Sequence, residues 1–290
     1  MRIEAPFGAG TMSYKSLLVH LDTSQAAERR LEFAFRLAQR FDAHLNALLT
    51  LTRPESGSFY VMAGAAQFLA EHERIARERR ESLERAFKAT AARTGVTGDW
   101  RVSTEYPNDV APDAARFADL VIAGQFDPND PESFVANQFL EHLLLEAGRP
   151  VLVVPYVGTF ASIGTHIVLA WDQSREAARA AADAIPFLAA AKKTTIVTLG
   201  EQGGEPLGSR LPGADIGAVI ARHGATVDID EMPPVPAAAV GDALLSRAAD
   251  LGADLIVMGC YGHARWRELV LGGASRTVLK SMTMPVLMSH

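Results

Sequence analysis

The strongest constraint on this chain is that it repeats itself. FADLVIAG at 117–124 matches GADLIVMG at 252–259, and RPVLVVP at 149–155 matches MPVLMSH at 284–290, both at an offset of 135. Upstream, SLLVHLDTSQAAERRLEFAFRLA and HIVLAWDQSREAARAAADAIPFL correspond at an offset of 150. That offset places Leu17 on Ile167, Asp22 on Asp172, Ser24 on Ser174 and Ala27 on Ala177. Self-similarity over this length means two copies of one folding unit. The two offsets differ by 15 residues, so the second copy is shorter in its middle. The deficit falls where EHERIARERRESLERAFKATAART of the first copy faces the shorter LPGADIGAVIARHG.

Each copy reads as five strands alternating with helices. The apolar runs predict strands at 16–21, 44–51, 99–104, 119–123 and 150–154, then at 166–171, 194–199, 226–230, 254–258 and 285–289. Between them the apolar spacing is helical, as for Ala27, Leu31, Phe35 and Ala38 on one face. Ser24 and Ser174 are expected N-caps. Apolar strands alternating with helices predict a parallel sheet covered on both faces, an α/β fold repeated in tandem. The expected division is an extension at 1–12, a first domain at 13–157 and a second at 163–290.

Composition narrows the function classes. A net charge of -6 and a pI near 5.8 give no reason to expect a nucleic-acid partner. The one cysteine, Cys260, excludes an intrachain disulfide and suits a reducing, cytoplasmic setting. No apolar run is long enough for a bilayer, so no membrane partner is expected. Cys260 and His263 stand at a Cys-x2-His spacing, but no second pair completes a zinc site, and no metal is assigned. No Gly-x-Ser-x-Gly elbow or His-Glu-x-x-His motif appears, so no catalytic residue is assigned either.

The chemistry-bearing stretch is GCYGHARWRELVLGGASR at 259–276. A glycine turn feeding a helix offers backbone N–H groups and the positive end of the helix dipole to a phosphate. Gly259 ends the fourth strand of its copy, Gly262 follows in the loop, and Gly272 and Gly273 precede a helical pattern. Ser275 adds a hydroxyl, and His263, Arg265, Arg267 and Arg276 add donors or charge. Asp172 ends the first strand of the same copy. If the two strands are neighbours, both features line one crevice, which is where ligands bind in such sheets. The commoner phosphate motifs are absent, so the glycines alone leave a cradle and a plain surface loop both open.

Two copies, each with a strand ending in Asp-x-Ser and a final Pro-Val-Leu strand, resemble the universal stress protein family. The Gly-x2-Gly-x9-Gly after ADLIVMG is similar to that family's nucleotide-binding signature. The resemblance runs from about residue 13 to the end. It implies five-stranded Rossmann-like domains of the adenine-nucleotide α-hydrolase-like type. It also implies, as cofactor, ATP or a related adenine nucleotide, with Mg2+ as a candidate counterion. By that resemblance Asp172 lies near adenine and ribose, and Gly259, Gly262 and Gly272 wrap ribose and phosphates. The residues after Gly272 would then meet phosphate oxygens. One departure stands out: the family usually has Ser or Thr after the last glycine, and this chain has Gly273. A neutral hydrogen bond contributes about 0.5–1.5 kcal/mol, so weakened phosphate binding is expected.

The first copy serves as an internal control. It keeps Asp22 and Gly124 but has Asp127 in place of Gly262, and Asn137-Gln138 in place of Gly272-Gly273. Asp127, Asp130 and Glu132 oppose a polyphosphate, and Pro128 and Pro131 lack the N–H a cradle needs. One nucleotide site per chain is therefore expected, in the second copy, acting as a nucleotide-dependent stress regulator. A nucleotide-free dimerising module and a slow nucleotide hydrolase remain as alternatives. Pairing of strands 150–154 and 285–289 within one chain is expected, with a homodimer of tandem chains and further protein partners beyond it.

Overall fold

The computed structural model describes residues 13–51, 65–130, 138–199, 213–261 and 273–290. The extension assigned to 1–12 lies outside them. Strands of the first copy are β1 (Ser16–Leu21), β2 (His44–Thr50), β3 (Gly98–Ser103), β4 (Leu120–Gly124) and β5 (Val151–Val154). Those of the second are β6 (His166–Trp171), β7 (Lys193–Leu199), β8 (Val227–Met232), β9 (Leu255–Gly259) and β10 (Val286–Ser289). The helices are α1 (Ala27–Phe41), α2 (Ala65–Thr94), α3 (Pro107–Ala115), α4 (Phe139–Glu146), α5 (Arg175–Asp183), α6 (Ile185–Ala190), α7 (Ala214–Ala221), α8 (Val240–Asp250) and α9 (Gly273–Ser281). Each predicted strand is present within two residues of its expected ends. The shortening of the second copy falls where α2 has α7 as its counterpart.

Among the described residues the strands form one ten-stranded sheet in the order β3-β2-β1-β4-β5-β10-β9-β6-β7-β8. Neighbours within each copy are parallel. The join between copies is antiparallel, with Val286 opposite Val153, Leu287 opposite Leu152 and Met288 opposite Val151. The expected pairing of the two Pro-Val-Leu strands is thus the seam of the molecule. Two apolar cores lie on opposite faces of the sheet. Buried residues of α1, α5 and α6 fill one, and those of α3, α4, α8 and α9 fill the other.

The seam is locked on both faces. On the α1 side, Tyr14 and Phe41 of the first copy pack on Phe187 of the second at ring-centroid distances of 5.6 and 5.0 Å. The Arg40 guanidinium lies 5.3 Å from the rings of both Phe41 and Phe187. The Tyr14 hydroxyl donates to the Asp183 carbonyl at 2.7 Å. On the other side, Arg276 pairs with Glu141 at 2.9 Å, and the Gln125 amide donates to the carbonyls of Leu279 and Lys280 at 2.9 and 3.1 Å. Burial of so much aromatic and aliphatic surface makes the two copies one body.

The repeat is legible in single contacts as well as strands. The Asp of ADL clamps the start of the neighbouring strand in each copy. Asp119 accepts from the N–H groups of Lys15 and Ser16 at 2.7 and 2.9 Å. Asp254 accepts from those of Thr165 and His166 at 2.9 and 3.1 Å. Helix caps are less symmetric. The Ser174 hydroxyl accepts from the Ala177 N–H at 3.1 Å, as an N-cap should. Ser24 does not cap: α1 is preceded by Ala26, and the Ser24 hydroxyl instead donates to Asp22. The carboxylate, being charged, outcompetes a backbone N–H for that hydroxyl. Asp254→Ala should cost about 1.5–3 kcal/mol per charge-assisted bond lost, read as a lowered urea midpoint with an unchanged slope.

Candidate functional site

β6 and β9 are neighbours, paired in parallel through Ile167–Leu255, Val168–Ile256 and Leu169–Val257. Two residues further on, the strands end at Trp171 and Gly259. α5 leaves toward one core and α9 packs on the other, so strand order reverses here and a crevice opens at the carboxyl ends. Asp172 and Gly259 therefore stand on opposite rims of one crevice. β1 and β4 end in the same relation, with Asp22 and Gly124 on the rims.

In the second copy no described side chain closes the rim. Asp172 is exposed, and one carboxylate oxygen accepts from the Ser174 N–H at 2.9 Å. The intervening Gln173 has φ 64°, which swings the chain into α5. Gly259 is demanded by packing: an added Cβ would sit 2.5 Å from the Ala177 N and from the Glu176 carbonyl carbon. Gly273 opens α9 and is exposed; among the described residues, nothing lies within 4 Å of a Cβ added there. Ser275 sits in the first turn of α9, buried on the same side as Val278. Gly262, His263 and Gly272 lie outside the described residues, as do Arg265 and Arg267. Arg276 is not held for a ligand, since its guanidinium spans the seam to both oxygens of Glu141 at 2.9 and 3.2 Å.

One side chain near the rim escaped sequence reasoning. Glu176, in the first turn of α5, is buried; its Oε1 accepts from Arg175 and its Oε2 has no hydrogen-bond partner among the described residues. Burial pushes the carboxyl up, and the bonds from Arg175 and its own backbone outweigh that, leaving it below the usual range. Beside it, burial pushes the Cys260 thiol up to about 12, with the Glu176 charge adding, so the thiol is protonated and unreactive. Among the described residues no group of three or more His, Cys, Asp or Glu side chains could hold a metal ion. None of the described helices is long and apolar enough to cross a membrane.

In the first copy the corresponding crevice is closed by the chain's own charges. Arg30 is 3% exposed and donates to Asp22 at 2.7 Å. Its Nη1 occupies the space over Gly124, 1.5 Å from where a Cβ would stand. Asp22 also accepts from the Ser24 N–H at 3.1 Å. From the other rim, Asp130 accepts the Gln25 N–H at 2.7 Å, so a carboxylate takes a backbone donor beside the Asp22 turn. Asp127 accepts from the Asn129 N–H at 2.9 Å, while Pro131 and Glu132 lie outside the described residues. The signal for Arg30 was present in the repeat: at the same offset the second copy has Ala180.

Charge burial also makes this region acid-sensitive. His20, on β1, is buried against Phe139 at 4.2 Å and shares a 2.8 Å hydrogen bond with Thr50 Oγ1. Burial lowers its pKa to about 3, with Arg30 lowering it further and Asp22 opposing. Burial raises the Asp22 pKa, but Arg30, His20 and Ser24 outweigh it and hold the carboxyl below its usual value. The unfolded chain takes up a proton at His20 near pH 6.5, where the folded one does not. Its contribution is therefore full above that pH and is lost as pH falls toward about 3. The Asp22 contribution, present above the ordinary carboxylate value, is lost lower still.

Fold and crevice together define a tandem doubly wound α/β protein with a switch-point crevice in each copy, the first closed by the chain's own charges. The chain belongs to the universal stress protein family: the model of the Universal stress protein family matches residues 13–155 and 237–290. A Staphylococcus epidermidis protein provisionally named a universal stress protein is 30% identical over 147 residues, 49% of this chain and 85% of that one. The crystal structure of a universal stress protein from Archaeoglobus fulgidus superposes with a TM-score of 0.67 at 18% identity, covering 94% of this chain and 95% of that one. That of a functionally unknown protein from Pseudomonas aeruginosa PAO1 superposes at 0.53 with 17% identity, covering 95% and 92%. At such identities the structures establish the shared fold.

Two outcomes check this geometry. Gly259→Ala should force α5 off β9 and cost about 1–3 kcal/mol in denaturant melts, as overpacking does. His20→Gln should flatten the fall of stability with acid, measured as urea midpoints from about pH 7 to 4, by up to about 1.4 kcal/mol per pH unit.

Proposed function

We propose that the protein binds an adenine nucleotide in the crevice of its second copy and works as a nucleotide-dependent regulator in the stress response. The observation that carries this is the contrast between the two crevices. In the first copy, Arg30 and Asp130 occupy both rims; in the second, Asp172 is exposed and α9 begins at a Gly273 that no described residue obstructs. The residues present fit such a ligand. The free lone pairs of Asp172 suit ribose or base donors, and the N–H groups opening α9 suit a phosphate. In this reading Gly259, Gly262, His263, Gly272, Gly273 and Ser275 complete the site, with domains at 13–157 and 163–290. ATP is the nucleotide favoured, with Mg2+ offsetting its charge.

A second reading is a nucleotide-free interaction module. It is favoured by Gly273, which removes a hydroxyl donor, and by the self-closed first crevice. Either reading accommodates a homodimer of tandem chains. Because β5 and β10 cover each other within the chain, such a dimer would use another surface.

Calorimetry with ATP, ADP and AMP, with and without Mg2+, should show saturable binding at up to millimolar ligand. No heat with any of them would leave the interaction module standing. Gly262→Asp, which copies the first crevice, should abolish binding. Gly273→Ser should tighten it by one hydrogen bond, about 0.5–1.5 kcal/mol or roughly two- to tenfold, because nothing described obstructs the added side chain.

A further inference from the structure

The first copy contains a cavity of about 260 Å³ on the α1 face of the sheet, beyond the carboxyl ends of β4 and β5. Arg29, Arg30 and Arg36 line it from α1, with Phe33 on the same helix. Tyr156 and Phe160, from the segment joining the copies, form its opposite wall. Arg29 is exposed and Arg36 half-buried, but Arg30 is buried, and a guanidinium withdrawn from water must be paired. Their pairing is incomplete. Arg29 donates to the Tyr156 carbonyl at 2.8 Å, Arg36 to the Phe160 carbonyl at 3.2 Å, and Arg30 to Asp22 at 2.7 Å. The Nε atoms of Arg30 and Arg36 are buried with no hydrogen-bond partner among the described residues. Glu32, also in the lining, is 3.9 Å from Arg36 and offsets part of the charge.

The second copy shows that the fold does not require this arrangement. There Ala180 replaces Arg30, and the backbone of Glu176 and Ala177 rests directly on Gly259. In the first copy an arginine is interposed between helix and strand, and the cavity lies beside it. A buried guanidinium on a cavity wall, paired with Asp22 through one nitrogen and with its Nε left without a partner among the described residues, in one copy and not the other, keeps a donor for a further negative group.

We propose that this cavity is a second, distinct ligand site that binds a small oxyanion, a carboxylate or a phosphate monoester with a compact apolar body. Arg30 and Arg36 supply donors to the anion, and Phe33 and Phe160, packed on each other edge to face at 6.4 Å, form an apolar stretch of wall for the rest of the ligand. The volume is just below the range usual for drug-sized ligands, so a nucleotide is too large and a ligand of about ten heavy atoms fits. Because Tyr156 and Phe160 belong to the joining segment, an occupant would brace the two copies against each other.

The test is calorimetry on the full chain at low ionic strength with inorganic phosphate, phenyl phosphate and benzoate as probes. Saturable binding of at least one probe is expected, and which one binds identifies the anion class. Arg30→Lys keeps the charge but loses the fork and should weaken binding about tenfold. Ala26→Leu fills the cavity without touching the Asp22–Arg30 pair and should weaken it similarly, which covers the case in which Arg30→Lys does not fold. No saturable heat with any probe would overturn the proposal. So would binding that is unchanged in both variants, or binding that is lost in Gly262→Asp and retained in Arg30→Lys, since that anion would sit in the second-copy crevice. A nucleotide site that fails its own test leaves this one standing, because the two share no residue.

Discussion

Everything in this molecule depends on the antiparallel pairing of β5 with β10. A Pro-Val-Leu strand at the edge of a five-stranded sheet exposes a row of unpaired backbone groups, which invites association. Here each copy supplies the cover for the other, so two sheets become one and two apolar cores run continuously across the seam. The edges that remain are β3 and β8, and both carry charge: Asp99 and Arg101 on one, Asp228, Asp230 and Glu231 on the other. Charged edges resist further pairing, which suits a chain whose copies have already satisfied each other.

Duplication then lets one copy change. Both crevices keep the same backbone: a strand end, an Asp accepting from the N–H two residues on, and a glycine on the facing strand. In the second copy the glycine admits a helix, and the Asp faces solvent. In the first it admits a guanidinium, which neutralises the Asp and draws the crevice shut, while Asp130 takes a backbone donor from the other side. Burying these charges is costly and is offset by their mutual hydrogen bonds. The same local frame thus supports a solvent-facing site in one copy and an internal ion cluster in the other.

Much of this was legible beforehand for definable reasons. Strand positions follow from apolar runs whose length and flanking residues are local properties, and all ten emerged within two residues. The seam was legible because the family resemblance implies that Pro-Val-Leu strands pair with each other, and an edge strand needs cover. The Ser24 cap was misread because the sequence shows a hydroxyl near a helix start without showing the carboxylate and guanidinium that compete for it. Arg276 was read as a phosphate donor, yet it lies opposite Glu141, 135 residues away. Of the residues expected at the site, Asp172 and Gly259 stand at the ends of β6 and β9, Gly273 and Ser275 lie in the first turn of α9, and Gly262, His263 and Gly272 fall outside the described residues.

By itself, the sequence determined the tandem α/β architecture, because periodicity and self-similarity are properties of residues near one another in the chain. It also showed that the first copy departs from the glycine spacing of the second, through Asp127 and its neighbouring prolines. Only the tertiary structure decided how that degeneracy is built. The Asp130 carboxylate takes the backbone N–H of Gln25, 105 residues away in the chain, and no spacing rule encodes that contact. For the same reason the arginine-lined cavity could not be read in advance. It exists because the segment joining the copies folds back over α1, and that path is set by the seam.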